Sequence, residues 1–322
     1  MKNARNILIT SAGKRVTLVR LFQAELQKLI PDAKVYTTDM VPAMAPAGHV
    51  SDGCFAVPRV TATDYMQKLQ EICEQNNIGL IVPTIDTELL LLAQHKDEFL
   101  RMGVSILVSS TDFVQACRDK RLTADLLNTL NIRVPESRNL QTPVYPIFAK
   151  PYDGSLSKDL YVIRSAEDVT PAITENPKLI FMEYIDKAEY KEFTVDMYYG
   201  KDNKVKGIVP RERIEIRAGE INKGRAVKNH LLSYLKERMG YIPGVVGCIC
   251  IQLFYRESDN DVVGIEINPR FGGGYPLSYH AGANFPKFAI SEYIIGNTVD
   301  YDDSWHNNTL MLRYDAEVII HG

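Results

Sequence analysis

The run Val262–Gly274, VVGIEINPRFGGG, sets a carboxylate, a carboxamide and a guanidinium at alternate positions (Glu266, Asn268, Arg270), then three glycines. In an extended strand, side chains two apart share a face. The three polar groups therefore point one way, and Ile265 and Ile267 point into the core. The preceding apolar run, GCICIQLFYRE, alternates too, with Ile249, Ile251 and Leu253 on one face and Gln252 on the other. RESDND between the two has the composition of a turn. Folding the hairpin there sets Gln252 opposite Glu266, within about one residue of register. Two amide oxygens, a carboxylate and a guanidinium result. Such a patch fits a hard cation such as magnesium, which takes oxygen ligands and shares its shell with phosphates. Arg270 cannot ligate a cation; it would hold phosphate or a developing anion beside it. The same residues also describe the solvated face of a half-exposed strand.

Other segments bear on that choice. Lys150 ends the apolar strand PIFAKP, and the loop DGSLSKDL follows with Gly154, Ser155 and Ser157. Backbone N–H groups and hydroxyls of such a loop can wrap phosphate, with the lysine as a point charge. LIFMEYI is a strand with one acid, Glu183, near its end, and Glu192 follows in YKEFTVDMY. On residue type alone, Glu192 is equally an edge-strand charge paired to Lys187 or Lys191. Lys120, between Arg118 and Arg121, reads as one of three bases on a solvated helix face. Arg211, Arg213 and Arg217 alternate along PRERIEIR, forming either a basic face over a site or a solvated hairpin.

The elements that must position these groups fall into two kinds. From NILIT to VSILVSS, apolar strands alternate with amphipathic helices such as VTLVRLFQAELQKL and TELLLLAQHKDEFLRM. That alternation predicts a parallel, doubly wound sheet over residues 1–110. TSAGKR after the first strand is not a Walker loop, because Leu8 stands where the first glycine belongs and Arg15 replaces the Ser/Thr. With Gly13 alone it is no dinucleotide fingerprint either. It is a tight strand-to-helix turn or a small-anion site at a helix N-terminus. Asp86 and Glu88 either cap the next helix start or line a cleft. Beyond residue 110, one or two helices capped at Ser110 or Thr111 lead into antiparallel strands, an α+β pattern.

The bulk properties narrow the function. The chain has 322 residues, enough for two or three domains, and a net charge of −3, which argues against nucleic-acid binding. The five cysteines match no zinc or redox spacing and read as small buried hydrophobes. No run is long and apolar enough to span a membrane, and MKNARNILIT lacks the form of a signal peptide. These features predict a cytoplasmic protein.

Taken in order, Asp119-Lys120 on a helix, Lys150 before a Gly/Ser loop, MEYI, a downstream glutamate, and Gln252 ahead of EINPR resemble the ATP-grasp superfamily. The likeness is closest to its carbamoyl-phosphate-synthase-like branch and covers essentially the whole chain. It implies an α/β Rossmann-like (pre-ATP-grasp) domain over 1–110, then an α+β ATP-grasp fold of two subdomains, 111–184 with the lysines and phosphate loop and 185–322 with the metal site. It implies ATP with Mg²⁺ (or Mn²⁺). Lys120 and Lys150 would contact the phosphates, the Gly154–Ser157 loop would close over them, and Lys223 would add a further contact. Glu183, Tyr184 and Ile185 would read the adenine edge by their backbone, and Glu192 would hold the ribose. Gln252, Glu266 and Asn268 would be the metal ligands, with Arg270 at the transferred phosphoryl group. The loop departs from the family pattern in carrying Gly154 alone.

The implied activity is an ATP-dependent ligase that activates a carboxylate as an acylphosphate for attack by an amine or similar nucleophile. Its partners would be small molecules and a second copy of the chain, not nucleic acid or membrane. Gly272–Gly274 with Tyr279, His280 and Asn284 would border the acceptor. Three alternatives are a carbamoyl-phosphate-synthase-type subunit, a nucleotide-binding regulator without turnover, and a Rossmann-type oxidoreductase.

Overall fold

The computed structural model describes residues 5–154, 159–217 and 219–320. The first part runs β1 (Asn6–Thr10), α1 (Val16–Leu29), β2 (Val35–Asp39), α2 (Pro46–Val50), β3 (Cys54–Ala56), α3 (Tyr65–Gln75), β4 (Ile78–Pro83), α4 (Asp86–Gln94), α5 (Lys96–Arg101) and β5 (Ser105–Ile106). Its strands form a parallel sheet in the order β3-β2-β1-β4-β5. Ile7 and Ile9 of β1 pack with Leu18 and Phe22 of α1, whereas Leu8 packs on the opposite side with Tyr65 and Leu69 of α3. A strand covered on both faces needs an unbroken apolar run, and NILIT supplies it. The stretch TELLLLAQHKDEFLRM is two helices rather than one. They meet at His95, whose ring nitrogen bonds back to the Leu91 carbonyl at 2.9 Å.

Next come α6 (Thr111–Arg118) and α7 (Lys120–Thr129). Ser110 caps the first through the Phe113 N–H. Asp119 breaks the pair: its backbone is extended (φ −105°, ψ 120°) and its carboxylate accepts from Arg121 N at 2.9 Å. The break lets Lys120 N donate to the Tyr152 carbonyl at 2.9 Å, tying α7 to the following strand. That strand, β6 (Ile147–Pro151), lies between β7 (Tyr161–Ile163) and β8 (Leu179–Glu183) in a small antiparallel sheet, with α8 (Pro171–Thr174) between the last two in sequence.

The remaining elements are β9 (Lys191–Tyr199), β10 (Val205–Arg217), β11 (Glu220–Ala226), α9 (His230–Met239), β12 (Gly247–Arg256), β13 (Asp261–Asn268), α10 (Tyr275–Ala281), α11 (Phe285–Ile290) and β14 (Thr309–Leu312). Six strands make an antiparallel sheet in the order β13-β12-β9-β10-β11-β14. The β12–β13 hairpin sets Gln252 directly opposite Glu266, as the turn composition predicts. Strict alternation fails one step away: Gln252 pairs with Glu266 but Leu253 with Gly264, so Ile265 is an extra residue. This β-bulge takes Ile265 off the face of Ile267 and packs it with Ile185, Tyr190, Val263 and Phe254, while Ile267 enters the main core.

The first sheet and the large sheet are welded through α1. Phe22 packs edge-on to Phe271 with ring centroids 5.6 Å apart, and Tyr275 and Phe285 complete the same apolar cluster. Tyr279 Oη donates to Glu25 Oε1 at 2.5 Å, and Asn284 caps α11 through the Lys287 N–H at 3.0 Å. Of the residues expected to border an acceptor, Tyr279 is thus tied to α1, Asn284 caps α11, and His280 is exposed. Among the described residues no helix is long and apolar enough to cross a membrane.

Candidate functional site

One face of the large sheet, carrying Phe193, Val195, Ile249, Ile251, Leu253 and Ile267, is buried in apolar core. The period-2 pleat sends the alternate residues to the other face: Glu192, Thr194 and Asp196 of β9, Arg211 and Arg213 of β10, Gln252 of β12, and Glu266 and Asn268 of β13. Gln252 Nε2 donates to Glu192 Oε1 at 2.7 Å, and Lys187 Nζ to Glu192 Oε2 at 3.1 Å. Arg213 Nε lies 2.9 Å from Glu192 Oε1, yet its N–H is not aimed there, and this buried nitrogen has no hydrogen bond. The Arg213 fork instead donates to Thr194 Oγ1 and the Gly219 carbonyl, each at 3.1 Å. Asn268 Nδ2 donates to Glu266 Oε1 at 3.3 Å.

Arg270 leaves the end of this strand and turns toward the first sheet. Its Nη2 donates to Asp86 Oδ2 at 2.5 Å and to Asn268 Oδ1 at 3.4 Å, and its Nη1 to the Phe271 carbonyl at 3.3 Å. Its Nε is buried without a partner. Burial works to neutralise the guanidinium, but Asp86 and Glu266 outweigh it and hold the group more firmly charged than an ordinary arginine.

Lys150 reaches this region from β6 of the small sheet. It is buried, and burial pushes its ammonium down to about 8, with Glu266 opposing the shift and Lys120 adding to it. Lys120 Nζ donates to the Gly154 carbonyl at 2.6 Å. Ser155 and Ser157 lie outside the described residues. Glu183 ends β8 with its carboxylate held bidentately by Arg133 Nη2 at 2.6 and 2.8 Å, and its N–H donates to the Glu136 carbonyl at 2.8 Å. Tyr184 is half-buried, and Ile185 joins Ile265 in the small apolar cluster beside it. Lys223 sits apart: its ammonium pairs with Glu215 Oε2 at 2.6 Å on the exposed β10–β11 hairpin.

The structure thus brings Lys150, Lys120, Glu266, Asn268, Gln252, Glu192 and Arg270 into one neighbourhood between the small sheet and the large one. Oxygen donors from two amides around one carboxylate suit a hard cation. A buried ammonium and a buried unpartnered guanidinium N–H suit a polyanion beside it.

The three arginines of PRERIEIR divide. Arg213 faces the site, while Arg217 pairs with Asp315 at the surface. Arg211 is fully buried against Asp196, with Nε and Nη2 at 2.7 and 2.8 Å. Asp196 also accepts from Ser278 Oγ at 2.5 Å and Cys250 Sγ at 3.0 Å. Asp196, Cys248 and Cys250 are close enough together to hold a metal. The Arg211 guanidinium already neutralises the carboxylate, so this cluster is a structural ion pair with two thiols packed on it. It also explains the glycine run. A Cβ at Gly272 would stand 2.9 Å from Cys250 Sγ, one at Gly273 2.7 Å from the Glu220 carboxylate, and one at Gly274 would collide with Arg211 Nη1.

Residues 7–107 match the family described as PylC-like, N-terminal domain, and residues 175–311 match that described as ATP-grasp in the biosynthetic pathway with Ter operon. The biotin carboxylase domain of Hydrogenobacter thermophilus 2-oxoglutarate carboxylase, solved with MgADP, ADP and bicarbonate, superposes with a TM-score of 0.71 at 12% identity, covering 94% of this chain and 72% of that one. The Staphylococcus aureus N5-carboxyaminoimidazole synthetase complexed with ADP gives 0.70 at 16% identity, over 97% and 81%. An L-amino acid ligase from Bacillus licheniformis gives 0.66 at 17%, over 91% and 75%. The chain has an ATP-grasp fold. No curated protein sequence is significantly similar to it.

Several groups around the ATP-grasp cleft escape a reading by motif. Asp196 carried a usable signal, being an acid set among the apolar residues of β9 and directly across from Cys250. Glu220 and Arg313, which meet at 2.7 Å, carried none, because a hairpin turn and a tail bring them together. Asp86 and Glu88 resolve differently. Glu88 is buried and accepts from the Thr84 and Ile85 N–H groups, Ser11 Oγ and Tyr65 Oη, so it knots the helix start, while Asp86 faces Arg270.

Proposed function

We propose that this protein is a Mg²⁺- and ATP-dependent ligase that joins a carboxylate to an amine or similar nucleophile. The observation that carries the reading is the polar face of the β12–β13 hairpin, where Gln252 stands opposite Glu266 and Asn268 bonds to it, with the buried, unpartnered Nε of Arg270 at the strand's end and the buried Lys150 within the field of Glu266. Similarity to ATP-dependent enzymes whose structures hold ADP or MgADP supports it.

In this reading Gln252, Glu266 and Asn268 would hold the metal, and Lys120, Lys150 and the Gly154–Ser157 loop would hold phosphates. The backbone of Glu183–Ile185 would read the adenine edge, and Glu192 would face the ribose. The metal would neutralise phosphate charge and align the transferring group. A substrate carboxylate oxygen attacks the γ-phosphoryl group, giving an acylphosphate and ADP, and the amine then displaces phosphate. Arg270 stabilises charge first on the transferring group and then on the tetrahedral intermediate. Positioning and electrostatics suffice, and no side-chain nucleophile is required. The domain division at 110 and 184 belongs to the same proposal, as do a cytoplasmic location and a dimer. Membership of the carbamoyl-phosphate-synthase-like branch rests on EINPR with its upstream glutamine.

The test is release of ADP and phosphate from Mg²⁺-ATP in the presence of carboxylate and amine panels. Glu266→Ala should lose Mg²⁺-dependent turnover by about 100-fold or more while keeping its circular dichroism and Tm. Wild-type turnover in that variant would refute the metal assignment. Tight ATP binding with no release under any acceptor would favour the regulator instead.

A further inference from the structure

A sheet ends in edge strands, whose outer N–H and C=O groups are open to pairing. Most edges of this protein are blunted. β3, β5 and β7 have three residues or fewer. β8 is covered where Arg138 N donates to the Phe181 carbonyl at 2.9 Å. β13 carries the bulge at Ile265 and is covered where Gly264 N donates to the Arg133 carbonyl at 2.7 Å. β14 is different. It closes the large sheet beside β11, and among the described residues no strand pairs with its other side. The run Thr309–Leu312 has no charge, no proline and no bulge.

Both the backbone and the side chains of β14 suit a partner. The ladder runs on past the strand, with Arg313 N donating to the Asn222 carbonyl at 2.9 Å. In an antiparallel ladder alternate residues bond to alternate sides. With Met311 and Arg313 turned to β11, Leu310, Leu312 and Tyr314 turn their N–H and C=O groups outward. The same alternation sorts the side chains. Met311 packs against the core and Arg313 bonds Glu220, while Leu310, Leu312 and Tyr314 take the opposite face, 50%, 62% and 81% exposed. The charges next to them are matched within the chain: Lys223 pairs with Glu215, Arg217 with Asp315, and Arg225 stands opposite Glu212. An apolar row on an open ladder is left, with nothing to repel a copy of itself.

We infer that β14 pairs antiparallel with β14 of a second copy, about a two-fold axis at Leu312. Leu312 then meets Leu312 of the second copy, and Leu310 meets Tyr314. Each such pair exchanges two backbone hydrogen bonds, because these are the residues whose backbones face outward. Leucine–leucine and leucine–tyrosine contacts run across the seam on one face, the cross-strand pairs that stabilise sheets. Centring the axis one residue earlier would set Tyr314 against Asn308, which leaves the strand conformation at φ 62°. The contact is one strand wide, so association is weak, with a Kd of about 1–100 µM. The inference stands on the edge geometry and is independent of the ligase reading.

The experiment is sedimentation velocity on the full chain at concentrations spanning about 1 to 200 µM. The mass should rise from that of one chain toward that of two. Leu312→Pro removes an N–H that faces away from β11, so it spares the fold. It should weaken association about 10- to 100-fold, the loss of two backbone hydrogen bonds across the axis. Leu312→Cys reads the register. In the paired edge the two Cα atoms at 312 lie about 5.5 Å apart, within reach of a disulfide. Those at 310 lie about 14 Å apart, four residues along the strand. Mild oxidation should therefore cross-link Leu312→Cys between chains and leave Leu310→Cys and wild type unlinked, the native cysteines being buried or half-buried. A single-chain mass at every concentration overturns the proposal. So does a dimer that Leu312→Pro leaves unchanged, since another surface then holds it. Cross-linking through Leu310→Cys that equals that through Leu312→Cys overturns it as well.

Discussion

Replacing Lys150 by methionine keeps a long apolar side chain in the same hole and removes one buried charge. Burial pushes that charge down to about 8 from an ordinary 10.5. The drop corresponds to ~3 kcal/mol carried against the charged form in the nucleotide-free protein. A depressed lysine disfavours its proton in the folded state, so the unfolded chain binds more protons between pH 8 and 10.5, and stability rises with pH there. Lys150→Met should therefore be more stable than wild type at pH 7, by roughly 1–3 kcal/mol after the lost Glu266 attraction is discounted. The gap should close as pH rises through that window.

Polyphosphate reverses the sign. If ATP phosphates supply the missing anion, the complex holds the proton firmly. Binding then takes up about half a proton at pH 8 and about 0.9 at pH 9, and affinity falls about fivefold between the two. Calorimetry in two buffers of different ionisation enthalpy, with EDTA so that no metal adds its charge, counts those protons. Uptake near zero at both pH values, or equal uptake by Lys150→Met, would refute the placement of Lys150 against phosphate.

Two further tests probe the buried frame under the site. Gly274→Ala drives a methyl group onto Arg211 and Ile221, and should lower stability by about 1–3 kcal/mol, read as a drop in the urea midpoint. Asp196→Ala leaves Arg211 charged and unpaired in the core, at a cost of about 3–5 kcal/mol, whereas the double variant Asp196→Leu with Arg211→Met should recover most of it. Equal stability of the single and double variants in chemical denaturation would show that the pair is not the element holding the glycine run in place.

Local pattern made much of the polar face of the β12–β13 hairpin readable. Val262–Arg270 alternates strongly and is joined to its partner by a short turn, so a hairpin with Gln252 across from Glu266 follows from pleat and turn chemistry alone. The bulge at Ile265 did not follow, since an extra residue in a strand leaves no mark on composition. The helix break at His95 was likewise hidden inside a continuous periodic run, and the choice between one helix and two beyond residue 110 was settled only by Asp119 acting as an internal cap on Arg121 N.

The glycines Gly272–Gly274 show the limit from the other side. Their smallness was plain, and a ligand was the natural guess for what approaches them. The approaching groups in the fold are Cys250, Glu220 and Arg211, brought from three different strands. Arg211 itself was one of three alternating arginines, indistinguishable by spacing, of which one is buried on Asp196, one faces the cleft and one lies at the surface.

The sequence by itself determined the parallel sheet followed by antiparallel sheets and the polar face of the β12–β13 hairpin, because periods of two and 3.6 and the chemistry of short turns act over a few residues. Only the tertiary structure decided which charges share the cleft. Arg15, Asp86, Glu220 and Arg270 lie in four separate segments, and their proximity follows from α1 packing against Phe271 and Tyr275, a long-range contact whose geometry no local pattern encodes.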